Sequence, residues 1–199
     1  MHGLLDTAAP GAGLTELGRQ QAAALVDVLA GERLDRIVAS PLLRTVQTAT
    51  PLAEARGLPL LQDDGLREVL AGDLELRADR DSHLAYLGTV FSWATGDLDA
   101  AMPGLPETGA SFFERYDRAV EAALQGAEAV VCVSHGAAIR TWAASRAVNA
   151  DGDFGAEHGL PNTSVVVLEC EGDGPWRMDA WLGRRLPSAD ADPTGAPIA

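Results

Sequence analysis

Lysine is absent from this chain: its fifteen basic residues are all arginine, set against 29 acidic ones. The formal net charge is −14 and the isoelectric point about 4.5. Such a surface repels nucleic acid and anionic membrane, so neither is expected as a partner. An anionic substrate remains accessible only through a local arginine pocket. Long apolar runs are also missing, and a membrane-spanning helix needs about eighteen or more consecutive apolar residues. The N-terminus shows no charged region followed by an apolar one, so no secretory signal is expected. Cysteine is scarce: Cys132 and Cys170 both lie in apolar runs. They read as buried free thiols rather than a disulfide, which fits a reducing cytoplasm. No internal repeat is visible.

What is present is an ordinary globular composition, 47% hydrophobic over 199 residues with a mean hydropathy near zero. One domain spanning residues 1–184 is expected, followed by a disordered Pro/Ala/Gly/Asp tail over 185–199. Residues 15–30 read as a helix with Thr15 as N-cap and a stripe of Leu17, Ala22, Leu25, Val26 and Leu29. "RIVAS" (36–40) reads as a buried strand. Pro41 then opens a helix to Arg56, with Gly57 ending it. "LPLLQ" is a second short strand. Residues 85–94 and 108–125 read as helices. "AVVCVS" (129–134) is the clearest buried strand, and "GAAIRTWAASRAV" is a helix after it. "TSVVVLEC" and "WRMDAWL" are strands joined by "EGDGP". Alternating strands and helices predict an α/β three-layer sandwich, a mostly parallel sheet flanked by helices. The short turn makes one of the last strands an antiparallel edge.

Ligands of such sheets bind at the carboxyl ends of strands. In "VASPLLRTVQTA", Arg44 falls in the first turn of a helix, where free N–H groups and the positive dipole end favour anions. Its guanidinium fork matches phosphate oxygens, although an ordinary surface arginine is the plainer reading. In "VCVSHGAAIR", His135 sits just past a buried strand, and Gly136 permits close backbone approach. The plainer reading there is a histidine capping a strand end. In "GLREVLAGDLE", Glu68 follows a strand near a glycine. Alone it is a weak signal, since a loop glutamate is usually solvated.

Taken in order, "LTELGRQQA" (14–22), "SPLLRTVQTA" (40–49), "LREVLAGDLE" (66–75), "PETGASFFERYDRAV" (106–120), "VVCVSHGAAIR" (130–140) and "NTSVVVLE" (162–169) resemble the histidine phosphatase superfamily, in its phosphoglycerate-mutase-like branch. The resemblance spans most of the chain. It implies a phosphoryl pocket of two histidines and two arginines, with no metal and no other cofactor. One histidine attacks phosphorus, and a carboxylate protonates the leaving oxygen. By motif, Arg44 is then a phosphate arginine and His135 the second histidine. Glu68 is the proton donor, a role that needs a raised pKa, and Gly136 offers its backbone. The implied partner is a phosphorylated small molecule.

The family's other half is an Arg-His-Gly at the end of its first strand. This chain offers Met1-His2-Gly3, and His2 precedes Leu14 by only twelve positions. That spacing is shorter than the family's. No strand precedes His2, and a chain end frays. "GLLD" fits the family's substrate loop instead, which makes Gly3 a candidate loop residue. His2 is therefore expected not to be the nucleophile. The chain reads as starting after the Arg-His-Gly strand, through a misassigned start codon or a truncated gene. His83 and His158 read as surface or loop histidines, with His158 also placed to line the pocket mouth. Asp6, Arg115 and Arg118 read as loop and helix-face charges. "PGLPETG" departs from the family's glycine-rich stretch and leaves the substrate side undefined. The expected function is phosphomonoester hydrolysis through a phosphohistidine in the full-length form. The alternatives are a phosphoglycerate mutase, or a degenerate member that binds phosphoryl ligands without catalysis.

Overall fold

In the computed structural model, which describes residues 3–172 and 174–185, a parallel three-stranded sheet carries helices on both faces. Strand β1 (Arg36–Ala39) is central, between β2 (Leu60–Gln62) and β3 (Val130–Val133). Side chains alternate across it, as the pleat requires. Ile37 and Ala39 face α2 (Leu43–Arg56) and pack with Ala49, Leu52 and Ala53, and with Leu29 just after α1 (Glu16–Val28). Val38 faces the other way, into a cluster that holds Phe112, Phe113 and Tyr116 of α4 (Gly109–Leu124). α3 (Arg80–Ala94) and α5 (Gly136–Arg146) complete that layer through Trp93 and Trp142.

Local chemistry sets the element ends. Thr15 accepts the N–H of Gly18 at the start of α1, the expected cap. Gly57 ends α2 at φ 63°, a left-handed conformation that glycine adopts without a Cβ penalty. Helix α2 starts at Leu43 rather than at Pro41, because the chain stays extended through Leu42. The N–H of Leu43 is satisfied from outside, by the carbonyl of Pro10. In α1 the expected stripe holds for Ala22, Leu25 and Leu29, but Leu17 is 63% exposed.

Two expectations change in the sheet. β3 is not fully buried: all four of its residues are half-buried, because it lies at the end of the strand order. β4 (Val166–Glu169), β5 (Arg177–Trp181) and β6 (Arg184–Arg185) do not extend the parallel sheet. They form a separate antiparallel sheet, in the order β4-β5-β6. Side chains of β3 border both apolar clusters, while Val166 and Leu168 of β4 border the one and Val165, just before β4, the other. The two cysteines are free thiols, but Cys132 is only half-buried and Cys170 is exposed, at the end of β4 where the sheet stops. Among the described residues no helix is long and apolar enough to cross a membrane. His2 and the tail beyond Arg185 lie outside the described residues.

Candidate active site

Sheet register brings the polar residues together. Ala39 of β1 is paired with Val133 of β3, so both strands release their chains at the same level. The backbone N–H of Ser40 continues the ladder, donating to Val133 O at 2.9 Å. Two residues past Val133 comes His135, the N-cap of α5. Four residues past Ser40 comes Arg44, in the first turn of α2. The Nη2 of Arg44 lies 3.1 Å from Nδ1 of His135, and Nε2 of His135 lies 2.8 Å from Oγ of Ser40. The imidazole is 5% exposed. Burial first, then the charges of Arg44 and Arg115, push its pKa down to about 3. His135 is therefore neutral at pH 7.

Glu68 reaches the same corner from the loop after β2. His135 makes no side-chain cap for α5, so the first turn of that helix has N–H groups to satisfy. Glu68 accepts them: Ala138 N–H at 2.9 Å and Ala137 N–H at 3.3 Å, with Val69 N–H at 3.0 Å. Burial raises the pKa of Glu68, while the three N–H donors and Arg44 act the other way. Arg44, His135 and Glu68 thus gather at the carboxyl ends of β1 and β3. Gly136 opens α5 beside them, and a Cβ there would meet no atom within 4 Å. Packing among the described residues therefore does not demand a glycine at that position. Gly3 is tied elsewhere: its carbonyl accepts the Nε2–H of His83 at 2.8 Å. His158 is exposed and stacked on Phe154, with ring centroids 4.1 Å apart.

Several residues that build this corner carried no obvious local signal. Ser40 is fully buried, although a polar residue at the end of an apolar strand was a legible hint. Arg115 is not a helix-face charge. Its Nε donates to Glu107 at 2.7 Å, and its Nη1 donates to the carbonyls of Gly65 at 2.7 Å and Arg67 at 3.0 Å. A fourth bond, from Nη2, runs to Glu68 O at 3.4 Å. Glu107 also pairs with Arg67 and accepts Leu70 N–H. This buried network fixes the loop that carries Glu68. Arg118, by contrast, is an exposed charge paired with Glu114.

The N-terminal loop closes over Arg44. Asp6 accepts Ala12 N–H at 2.8 Å and lies 3.9 Å from the guanidinium. Gly11 has φ 67°, and a Cβ there would stand 2.7 Å from Nη1 of Arg44. Glu75 anchors the loop by accepting Thr7 N–H and Ala8 N–H, together with the hydroxyl of Thr7. No group of three or more His, Cys, Asp or Glu side chains among the described residues is placed to hold a metal ion. A cavity of about 1040 Å³ lies between α4 and the β4–β5 connection. Arg115, Ala119, Ala122, Cys170 and Trp176 line it.

The histidine phosphatase superfamily (branch 1) matches residues 6–182. The chain belongs to that superfamily. Its fold agrees: the solved structure of a mycobacterial glucosyl-3-phosphoglycerate phosphatase in complex with VO3 superposes with a TM-score of 0.73 at 27% identity, over 90% of each chain. A phosphoserine phosphatase from Entamoeba histolytica, solved with 3-phosphoglyceric acid, gives a TM-score of 0.71 at 22% identity, a likeness of fold. Among sequence relatives, glucosyl-3-phosphoglycerate phosphatase of Mycolicibacterium vanbaalenii is 30% identical over 201 residues, covering 91% of this chain and 86% of that protein. The PE-PGRS family protein PE_PGRS11 of Mycobacterium tuberculosis is 32% identical over 197 residues, 90% of this chain. This chain spans only 34% of the length of that protein.

Proposed function

We propose that this superfamily member is a phosphomonoester hydrolase acting on a phosphorylated small molecule, with the phosphoryl group seated at Arg44 and His135. The observation that carries the reading is the 3.1 Å approach of a half-buried guanidinium to a neutral imidazole at the carboxyl ends of two parallel strands. Arginine N–H groups there neutralise charge on the non-bridging phosphoryl oxygens, with the imidazole ring beside them. A histidine nitrogen attacks phosphorus and the bond to the leaving oxygen breaks. Glu68 gives that oxygen its proton. Water then attacks the phosphohistidine, the P–N bond breaks, and the carboxylate of Glu68 takes the proton from water. Burial of Glu68 suits it to hold a proton. The two free thiols fit action in the cytoplasm. Hydrolysis is preferred over mutase chemistry because two of the similar proteins are named glucosyl-3-phosphoglycerate phosphatases.

The attacking histidine is assigned to a strand ending in Arg-His-Gly, laid beside β3. Support comes from the edges of β3 and β4, which are open among the described residues and whose side chains border a common cluster. Backbone groups along such edges want a partner. The bonds that occupy the Glu68 carboxylate favour a second reading, in which the cluster binds phosphoryl ligands without turning them over.

The test is hydrolysis of p-nitrophenyl phosphate in excess chelator. It compares the 199-residue chain with one extended by roughly fifteen to twenty N-terminal residues that hold an apolar strand, Arg-His-Gly and a short loop. Little turnover by the first and robust turnover by the second is expected. Robust turnover by the first, abolished by His2→Ala, overturns the assignment. Phosphate binding by both without turnover by either selects the second reading.

A further inference from the structure

Ser40 is a buried serine whose hydroxyl makes its one short contact with His135. It ends β1, its N–H and C=O are already used by Val133 O and the Thr45 hydroxyl, and it is fully buried beside Ala39 and Leu42. A hydroxyl taken out of water needs a partner. Its strong contact is the 2.8 Å approach to Nε2 of His135; the other, from Leu42 N–H, is long at 3.4 Å.

Donor and acceptor roles in the triad follow from chemistry. A guanidinium has N–H donors and no acceptor. Nδ1 of His135 lies 3.1 Å from Nη2 of Arg44, so Nδ1 must present its lone pair. The single proton of the neutral ring then sits on Nε2, and Ser40 Oγ accepts it. Ser40 Oγ is thereby the second fixed point of the ring. Without it, the imidazole would be held by one bond to a side chain that is itself half-buried and mobile about several torsions. The nitrogen a histidine offers to a ligand is set by the bond its other nitrogen makes.

We infer that Ser40 is a positioning residue: by accepting the Nε2–H of His135 it fixes the ring so that Nδ1, on the Arg44 side, is the nitrogen that meets a bound anion. The inference rests on reading the Arg44–His135 cluster as the phosphoryl site. When a phosphoryl oxygen draws Arg44 away, Nδ1 is released toward the same oxygen. A proton acquired there from solvent turns it into a second donor, while Nε2 stays on Ser40.

The experiment is two-bond ¹H–¹⁵N NMR of the histidine rings in the intact protein, with His135→Gln to assign the signals. It is combined with titration of inorganic phosphate into wild type, Ser40→Ala and Ser40→Thr. Wild type is expected to show His135 protonated on Nε2 alone. Ser40→Ala is expected to lose that single, sharply defined ring state and to bind phosphate about tenfold more weakly, the weight of one hydrogen bond. Ser40→Thr, which keeps the hydroxyl, is expected to recover both. Circular dichroism melts confirm that each variant is folded. A proton on Nδ1 in wild type overturns the inference. So does a Ser40→Ala protein with unchanged ring signals and unchanged phosphate affinity. If wild type binds no phosphate, the phosphoryl-site reading fails, and the ring spectra of wild type and Ser40→Ala still decide whether Ser40 fixes the imidazole.

Discussion

The network around Glu107 offers the sharpest stability test. Its carboxylate side chain is 9% exposed and sits between two guanidinium groups, Arg115 at 2.7 Å and Arg67 at 3.2 Å. Burial lowers the pKa of Arg115 and Arg67 pushes the same way, while Glu107 opposes both. Glu107→Gln keeps the size and one neutral acceptor but removes the negative charge paired with Arg115, while Arg67 keeps its pairing with Asp64. Stranding a buried charge costs about 3–5 kcal/mol. The lower end applies here, because Arg115 keeps three carbonyl acceptors, on Gly65, Arg67 and Glu68. A loss of about 3 kcal/mol is therefore expected from the urea midpoint, with the slope unchanged. For a domain of this size that lowers the melting temperature by roughly 6–12 °C. Arg115→Met should couple to it: the double variant should be less destabilised than the two single losses summed, because the stranded cation is gone. A Glu107→Gln protein within about 0.5 kcal/mol of wild type, the range of an ordinary surface substitution, would falsify the view that this pair organises the Glu68 loop.

Three more outcomes are expected. His135 has its pKa depressed from 6.5 to about 3 in the folded chain. Between those values the unfolded chain takes up a proton that the folded one refuses, so this residue's contribution is full above pH 6.5 and is lost as pH falls. The difference in stability between wild type and His135→Gln, followed by urea titration, should shrink by about 2–3 kcal/mol from pH 6.5 to pH 4.5; a difference independent of pH refutes the assignment. Glu68→Gln turns an amide NH2 toward one of the N–H groups of Ala137, Ala138 or Val69. It should cost about 1–3 kcal/mol in thermal or urea melts, and an unchanged melt would count against Glu68 as the cap of α5. Gly11→Ala combines a left-handed backbone with a Cβ 2.7 Å from Nη1 of Arg44. It should destabilise the chain by about 1–2 kcal/mol and weaken inorganic phosphate binding by displacing the guanidinium, whereas wild-type affinity would show that the loop yields instead.

The sequence by itself determined the local elements and the order of the motifs. Thr15 marks a helix start and Gly57 a helix end because capping and left-handed geometry depend on a few adjacent residues. The apolar runs ending in Ser40 and Ser134 mark two strands, and Arg44 and His135 stand out as polar groups just beyond them. Which polar groups meet was decided by the tertiary structure. The pairing of Ala39 with Val133 places Ser40 under His135, a contact across 95 positions of sequence. Glu68 caps a helix that begins 68 residues later, and Glu75 holds Thr7 across the same distance. Arg115 looked like a helix-face charge because helical periodicity records a face, not what lies against it. Strand order was equally hidden: β3 reads as a core strand from its four apolar residues, and only its place at the end of the sheet leaves it half-buried. Capping, turn and pleat preferences act over a few residues and are written locally. Register, burial and charge pairing depend on chain segments brought together from far apart, so they exist only in the folded molecule.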